Sequence, residues 1–219
     1  MTPARSLLAA LVTLASLSAV AACPFCEVVG RSLVQRRDAA TVVAVGEAGG
    51  EAREDEGIVS QPLIIRAVIS GMDITVADTV IARVAGPVEG TAVVFGDATG
   101  RFEAVAADES LLGYVATAPP AEAPAAERLA WFARRLEHPD TAIAEDAFME
   151  FGLAEYADVV AAAGSLRELN LRAWITEPAI DQRRRGFYGL ALGIVAAEAR
   201  ARGDAAQADA CTQALEQAL

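Results

Sequence analysis

Residues 118–136 read APPAEAPAAERLAWFARRL, and the hydrophobic period changes inside this stretch. The segment Ala118-Pro119-Pro120-Ala121-Glu122-Ala123-Pro124 is a stiff Pro and Ala spacer. Before it, apolar residues recur at every second position. After it they recur with a spacing of three and four: Leu129, Phe132, Ala133 and Leu136 share one face of a helix that is expected to stop at His138-Pro139, because a residue before proline avoids the helical region. The chain is therefore expected to be α+β. A β-rich domain over 23–118 is followed by a linker at 119–125 and a helical, repeat-like domain over 126–219.

Upstream, short β-favouring runs alternate with turn signals at 41–48, 61–71, 79–85, 90–98, 101–107 and 111–118. Five or six strands with no helix between them predict a small antiparallel barrel. In the second run, Leu63, Ile65, Ala67 and Ile69 are expected on one face, with Arg66 and Ser70 on the other. Gly49–Gly57 (GGEAREDEG) reads as a solvated hairpin loop.

Downstream, Asp140 or Thr141 is expected to cap a helix bearing Ile143, Ala147, Phe148 and Phe151, closed by Gly152. A further helix starts at Tyr156, and Ser165 with Glu168 has the spacing of a capping box that opens a helix with Leu166, Leu169 and Trp174. A long helix runs from about Asp181 to Arg202. Short helices joined by Pro or Gly turns are the pattern of stacked hairpin repeats. Gly186, Gly189 and Gly193 lower helix propensity and point to close helix packing rather than to a phosphate loop.

The N-terminus carries an address. Arg5, the apolar run Leu7–Leu17 and the small residues Ala19–Ala22 have the layout of a secretory signal peptide over 1–22, and no later run is long enough for a membrane span. Val20-Ala21-Ala22-Cys23 also has the form of a lipoprotein box, so a lipid anchor at Cys23 stands as an alternative to a free amine. Cleavage before Cys23 leaves 17 Arg against 30 acids, a charge of −13. Export to the periplasm, the cell envelope or the extracellular space is the expected localisation.

Cys23-Pro24-Phe25-Cys26 then opens the mature chain. Pro24 suits a first helical position, and Phe25, Val28, Val29 and Leu33 share a helical face, which places Cys26 in a first turn where the helix dipole acidifies a thiol. No mature strand precedes the pair, so a thioredoxin-type scaffold is disfavoured, and Glu27 after Cys26 excludes a c-type haem site. Three readings remain for Cys23 and Cys26: a structural disulfide in an oxidising compartment, a thiol pair for redox exchange or soft-metal binding, or a lipidated Cys23 beside a free Cys26. Cys211, in an Ala-rich terminal helix, reads as a half-buried small hydrophobe.

Composition removes other chemistries. All 18 basic residues are Arg, His138 is the single histidine, and the net charge is −12. Lys-dependent phosphate loops, Schiff bases and multi-histidine metal sites are therefore excluded, and an acidic chain is a poor ligand for nucleic acid. No Ser stands in a Gly-x-Ser-x-Gly elbow. Glu145, Asp146 and Glu150 lack a matching carboxylate pair elsewhere and read as a solvated face, while His138 between Glu137 and Asp140 reads as an inter-helix turn. Arg183-Arg184-Arg185 is the one dense positive run, a candidate anion site or a set of partners for neighbouring acids. No catalytic set and no cofactor are expected.

The words ERLAWFARRLEHPD, EDAFMEFGLAEYADV, LRAWI and RRGFYGLALG, together with the opening CPFC, resemble a bacterial family of secreted proteins of uncharacterised activity that ends in a HEAT-like helical array. The likeness runs from Cys23 to about Gly193 and leaves the tail after Ile194 generic. The Cys-led N-terminus, the strand Thr41–Gly46 and the strand Ile64–Gly71 resemble the netrin-type, OB-like module over about 23–118. That resemblance implies a processed N-terminal cysteine able to chelate a partner's zinc, although netrin modules carry Cys-x-Cys and further disulfides. The combined expectation is an exported, non-enzymatic binding module with an unidentified protein partner, the alternative being a thiol redox or metal-handling protein.

Overall fold

The computed structural model describes residues 30–218. One short helix, α1 (Leu33–Ala39), leads into β1 (Val42–Ala48), β2 (Arg53–Asp55), β3 (Ile58–Ser70), β4 (Thr79–Arg83), β5 (Thr91–Gly96) and β6 (Phe102–Ala106). Helices follow: α2 (Glu109–Thr117), α3 (Ala125–Ala133), α4 (Thr141–Leu153), α5 (Tyr156–Ala161), α6 (Ala163–Arg167), α7 (Leu171–Trp174), α8 (Gln182–Ala201) and α9 (Ala205–Ala218). The chain is thus α+β, a six-stranded sheet followed by a helical C-terminal region.

The sheet order is β1-β5-β6-β4-β3-β2, and β1 also pairs with β3. Every pairing is antiparallel except β4 with β6, so the sheet is mixed rather than antiparallel throughout. The reason is directional. β5 runs back against β6, so when β6 lies beside β4 the two point the same way.

Three readings of the strand region are corrected. The run 111–118 is helical, not a strand: Asp108 caps α2 by accepting the Leu111 N–H at 2.9 Å, and Leu111, Tyr114 and Val115 form its buried face. Their spacing of three and four outweighs the β-favouring composition. The loop 49–57 instead contains the exposed edge strand β2, which joins β3 through Glu56 and Gly57, both at positive φ (48° and 79°) as a two-residue hairpin turn requires. Arg53, Glu54 and Asp55 carry no apolar alternation because neither face is covered. On β3, Leu63 and Ile65 are buried as expected but Ala67 and Ile69 are exposed. The register against β1 gains one residue at Arg66, between Ile65 and Ala67, which turns the side chains that follow to the other face, and gains a second at Ile69 itself.

At the start, Ser32 caps α1 by accepting the Gln35 N–H at 2.9 Å, and Gly30 has φ +127°. A continuous helix from Pro24 to Arg37 is therefore not formed: among the described residues it begins at Leu33. The expected signal peptide over 1–22, Cys23 and Cys26 lie outside the described residues.

In the helical region, Asp140 caps α4 through Ala142 N (2.8 Å) and Ile143 N (3.4 Å), and Asp181 caps α8 through Arg183 N at 2.8 Å. α3 ends at Ala133 rather than at His138, yet Leu136 in the following turn stays buried. Gly152 lies inside α4, which ends at Leu153. The capping box does not form, because Ser165 is already inside α6 and its N–H donates to Ala162 O. The glycine expectation is also corrected. A Cβ at Gly189 would make only ordinary contact, 3.5 Å from Ile175 Cδ1, and one at Gly193 would meet nothing within 4 Å. These glycines leave an open surface rather than permitting tight packing. Among the described residues no helix is long and apolar enough to cross a membrane.

Both faces of β1 and β5 are covered. Val42, Ala44, Ala92 and Val94 join Leu63, Ile65 and Ala82 in one core cluster, while Val43, Val93 and Phe95 belong to a second with the helical residues Leu111, Phe132 and Phe148. The Pro and Ala spacer is also held. The Arg37 guanidinium donates to Val115 O (2.8 Å), Ala118 O (2.7 Å) and Pro119 O (3.3 Å), and Asp38 accepts the Ala121 N–H at 2.8 Å. Arg37→Ala is therefore expected to open 118–124 to elastase while the wild type is cut first in the 49–57 hairpin, as fragment masses will show. Initial cleavage of the wild type at 118–124 would show that Arg37 does not hold the spacer.

Candidate functional site

The start of α1 is received by two carboxylates of α4. Asp146 and Glu150 are one turn apart, on the same side of the helix as Ile143, Ala147 and Phe151. Asp146 Oδ1 accepts the Leu33 N–H at 2.5 Å, and its Oδ2 accepts the Tyr114 hydroxyl at 2.8 Å. Glu150 Oε1 accepts the Ser32 hydroxyl, and Oε2 accepts Arg128 Nη2 at 2.6 Å. Every carboxylate oxygen thus has a donor. Asp146 and Glu150 are buried, so the solvated-face reading is corrected for both. Of the three acids only Glu145 keeps an exposed side chain, facing Arg183 (3.9 Å) and Arg184 (3.8 Å).

Burial dominates the electrostatics of this clasp. It pushes the Asp146 carboxyl up to about 6 against the opposing pull of the Leu33 and Tyr114 hydrogen bonds, and Glu150 pushes it further in the same direction. Burial, followed by the negative charge of Asp146, raises the Tyr114 hydroxyl far above its ordinary range. Tyr114 stacks on Trp131 at 5.1 Å, and the Arg135 guanidinium lies 3.3 Å over the Trp131 ring. With all four oxygens bonded, the clasp pins Ser32 and Leu33, the start of α1, onto α4.

The sequence placed Asp146 and Glu150 on α4 but missed their role. The signal was present in the spacing: positions 143, 146, 147, 150 and 151 form one stripe, and two acids within it must find donors if the stripe is buried. Three of the four donors, Ser32, Leu33 and Tyr114, come from elements far away in sequence.

The remaining candidates separate. In the Arg183-Arg184-Arg185 run, Arg184 lies 2.7 Å from Glu137, which also accepts the Tyr188 hydroxyl, and Arg183 contacts Asp181 at 3.3 Å. His138 sits between α3 and α4 with Nδ1 accepting the Asp140 N–H at 3.1 Å. Cys211 is buried in α9, where desolvation pushes its thiol up and away from reactivity. Among the described residues no group of three His, Cys, Asp or Glu side chains is arranged to hold a metal.

One face of the helical region is open and apolar. Tyr156 and Val160 on α5 and Leu190 on α8 are 63, 42 and 37% exposed around a depression of about 620 Å³ floored by Gly189, Gly193 and Ile194. Family models, curated proteins and solved structures give no match to this chain.

Proposed function

We propose that the protein is an exported binding module of the cell envelope or secreted space, without a catalytic role, that holds a partner protein through its helical region. The observation that carries this reading is the depression between α5 and α8, where bulky apolar side chains stand exposed beside glycines that leave the floor bare. A partner presenting an apolar helix or strand would cover it. The reading takes the signal-peptide layout of 1–22 as an export address and the helical region as a HEAT-like array of the secreted CPFC family. It also takes the sheet as a small closed barrel of OB or netrin-like order. The ring of pairings β1–β5–β6–β4–β3–β1, with one parallel contact, supports that last point.

A photo-crosslinking residue in place of Tyr156, in producing cells, tests the reading against the same residue in place of Met72, which is exposed beyond β3. A single discrete adduct from position 156, absent from 72 and lost with Leu190→Asp, is expected. The same adducts from both positions, or none, would refute it, and an adduct of two copies of this chain would make self-association the function of this face.

The second reading, a thiol redox or metal-handling protein using Cys23 and Cys26, is favoured by the clasp, because buried Asp146 and Glu150 anchor the chain close after the pair. Thiol counting on the mature protein separates the two. A stable oxidised pair fits the binding module, while reversible cycling or stoichiometric soft-metal uptake fits the second reading. A lipid-sized mass gain at Cys23 would remove that thiol and place the protein at a membrane surface.

A further inference from the structure

Four arginines from three stretches of the sequence meet in one recess. Arg31 and Arg36 border it from before and within α1, Arg83 from the end of β4 and Arg101 from the β5–β6 turn, around a space of about 430 Å³ whose apolar wall includes Phe95. That volume suits a small organic molecule. Among the described residues none of the four guanidiniums has a carboxylate oxygen within 4 Å, and none donates a side-chain hydrogen bond. The other arginines that form ion pairs (37, 66, 128, 167, 183, 184 and 202) do so elsewhere on the fold.

Two carboxylates share the recess, and they do not cancel it. Asp97 is committed to its own turn: Oδ1 accepts Thr99 N (2.8 Å), Thr99 Oγ1 (2.7 Å) and Arg101 N (3.1 Å), which hold the carboxyl below its usual range and fix the backbone that carries Arg101. Glu103 pairs with Arg83 in backbone register only. Four cations against Asp97 and Glu103 leave two positive charges. On a chain of net charge −12 this is a local reversal of sign, where the field focuses an incoming anion.

We propose that this recess is a binding site for a small organic dianion, a molecule carrying either one phosphate monoester or two carboxylates. Guanidinium groups recognise both through paired N–H donors, and two excess charges match a dianion better than a monoanion. Phe95, Ala39 at the end of α1 and Ala40 just after it supply a wall for the ligand's carbon part. The site is separate from the depression between α5 and α8, so either can be lost without the other.

Calorimetric titration of the full mature protein at low ionic strength tests the proposal with phenyl phosphate, succinate and acetate. Phenyl phosphate, succinate or both are expected to saturate with a dissociation constant below about 1 mM, and acetate to bind at least about tenfold more weakly. Phenyl phosphate alone assigns the phosphoryl form, succinate alone the paired carboxylates, and both together the shared dianion. The double variant Arg83→Ala/Arg101→Ala, both exposed positions, is expected to weaken binding at least about tenfold, and Arg53→Ala on the β2 edge to change it less than about twofold. No saturation by either dianion, equal binding of acetate, or an unchanged affinity in the double variant with an unaltered melting temperature would overturn the proposal.

Discussion

Arg128→Met is expected to destabilise the fold by about 3 kcal/mol or more at neutral pH, because it removes the cation from a buried carboxylate rather than from the surface. The Glu150 side chain is 1% exposed, and its Oε2 lies 2.6 Å from Arg128 Nη2. With Arg128 gone, the Ser32 hydroxyl is the only donor left to Glu150 among the described residues. Methionine keeps much of the packing of the Arg stem, so the loss measures charge. Adding Glu150→Gln to Arg128→Met removes the stranded charge, and the pair is expected to recover most of the stability, whereas an exposed pair such as Arg66–Glu47 would show coupling below about 1 kcal/mol. Urea unfolding of the four members of the cycle gives the coupling directly. A single-variant loss under about 1 kcal/mol would show that water reaches Glu150.

The same residues show what could be read from sequence. The cap at Asp140, the long α8 starting near Asp181 and five of the strands follow from local rules, because period, capping chemistry and turn residues act over a few positions, whereas the change from strand to helix falls at Asp108, ahead of the spacer at Pro119. What failed was non-local. α2 was hidden because Leu111, Tyr114 and Val115 are as acceptable in a strand as in a helix until Asp108 is recognised as a cap. β3 changed faces because a bulge depends on the partner strand, not on the strand's own residues. The clasp depended on Ser32 and Tyr114 reaching α4, and the arginine recess joins positions 31, 36, 83 and 101 from three separate segments. In each case the missing information was a pairing, and no window along the chain contains both partners.

Asp146 makes the second large effect a matter of pH. Its carboxyl titrates near 6 in the folded protein, against 3.8 when freely solvated, and the first cause is burial beside Tyr114 and Leu33. A raised folded value means that the folded state binds the proton more tightly than the unfolded state does. The stabilisation is therefore complete below about pH 4 and is lost as pH rises through about 6, opposite in sign to the surface acids Asp97 and Asp181, whose values are lowered and whose contribution grows as pH rises through the acid range. The interval between 3.8 and about 6 corresponds to about 3 kcal/mol. Asp146→Asn removes the titration but keeps an oxygen for the Leu33 N–H, and Tyr114 can turn its hydroxyl to accept from the amide. Unfolding free energies of both proteins from pH 4 to 7 are expected to show the wild type losing about 3 kcal/mol relative to Asp146→Asn across that range. The slope should be steepest between pH 4 and 6, where only the folded state retains the proton. Parallel curves would show that Asp146 stays ionised throughout, and that the hydrogen bonds from Leu33 and Tyr114 outweigh its burial.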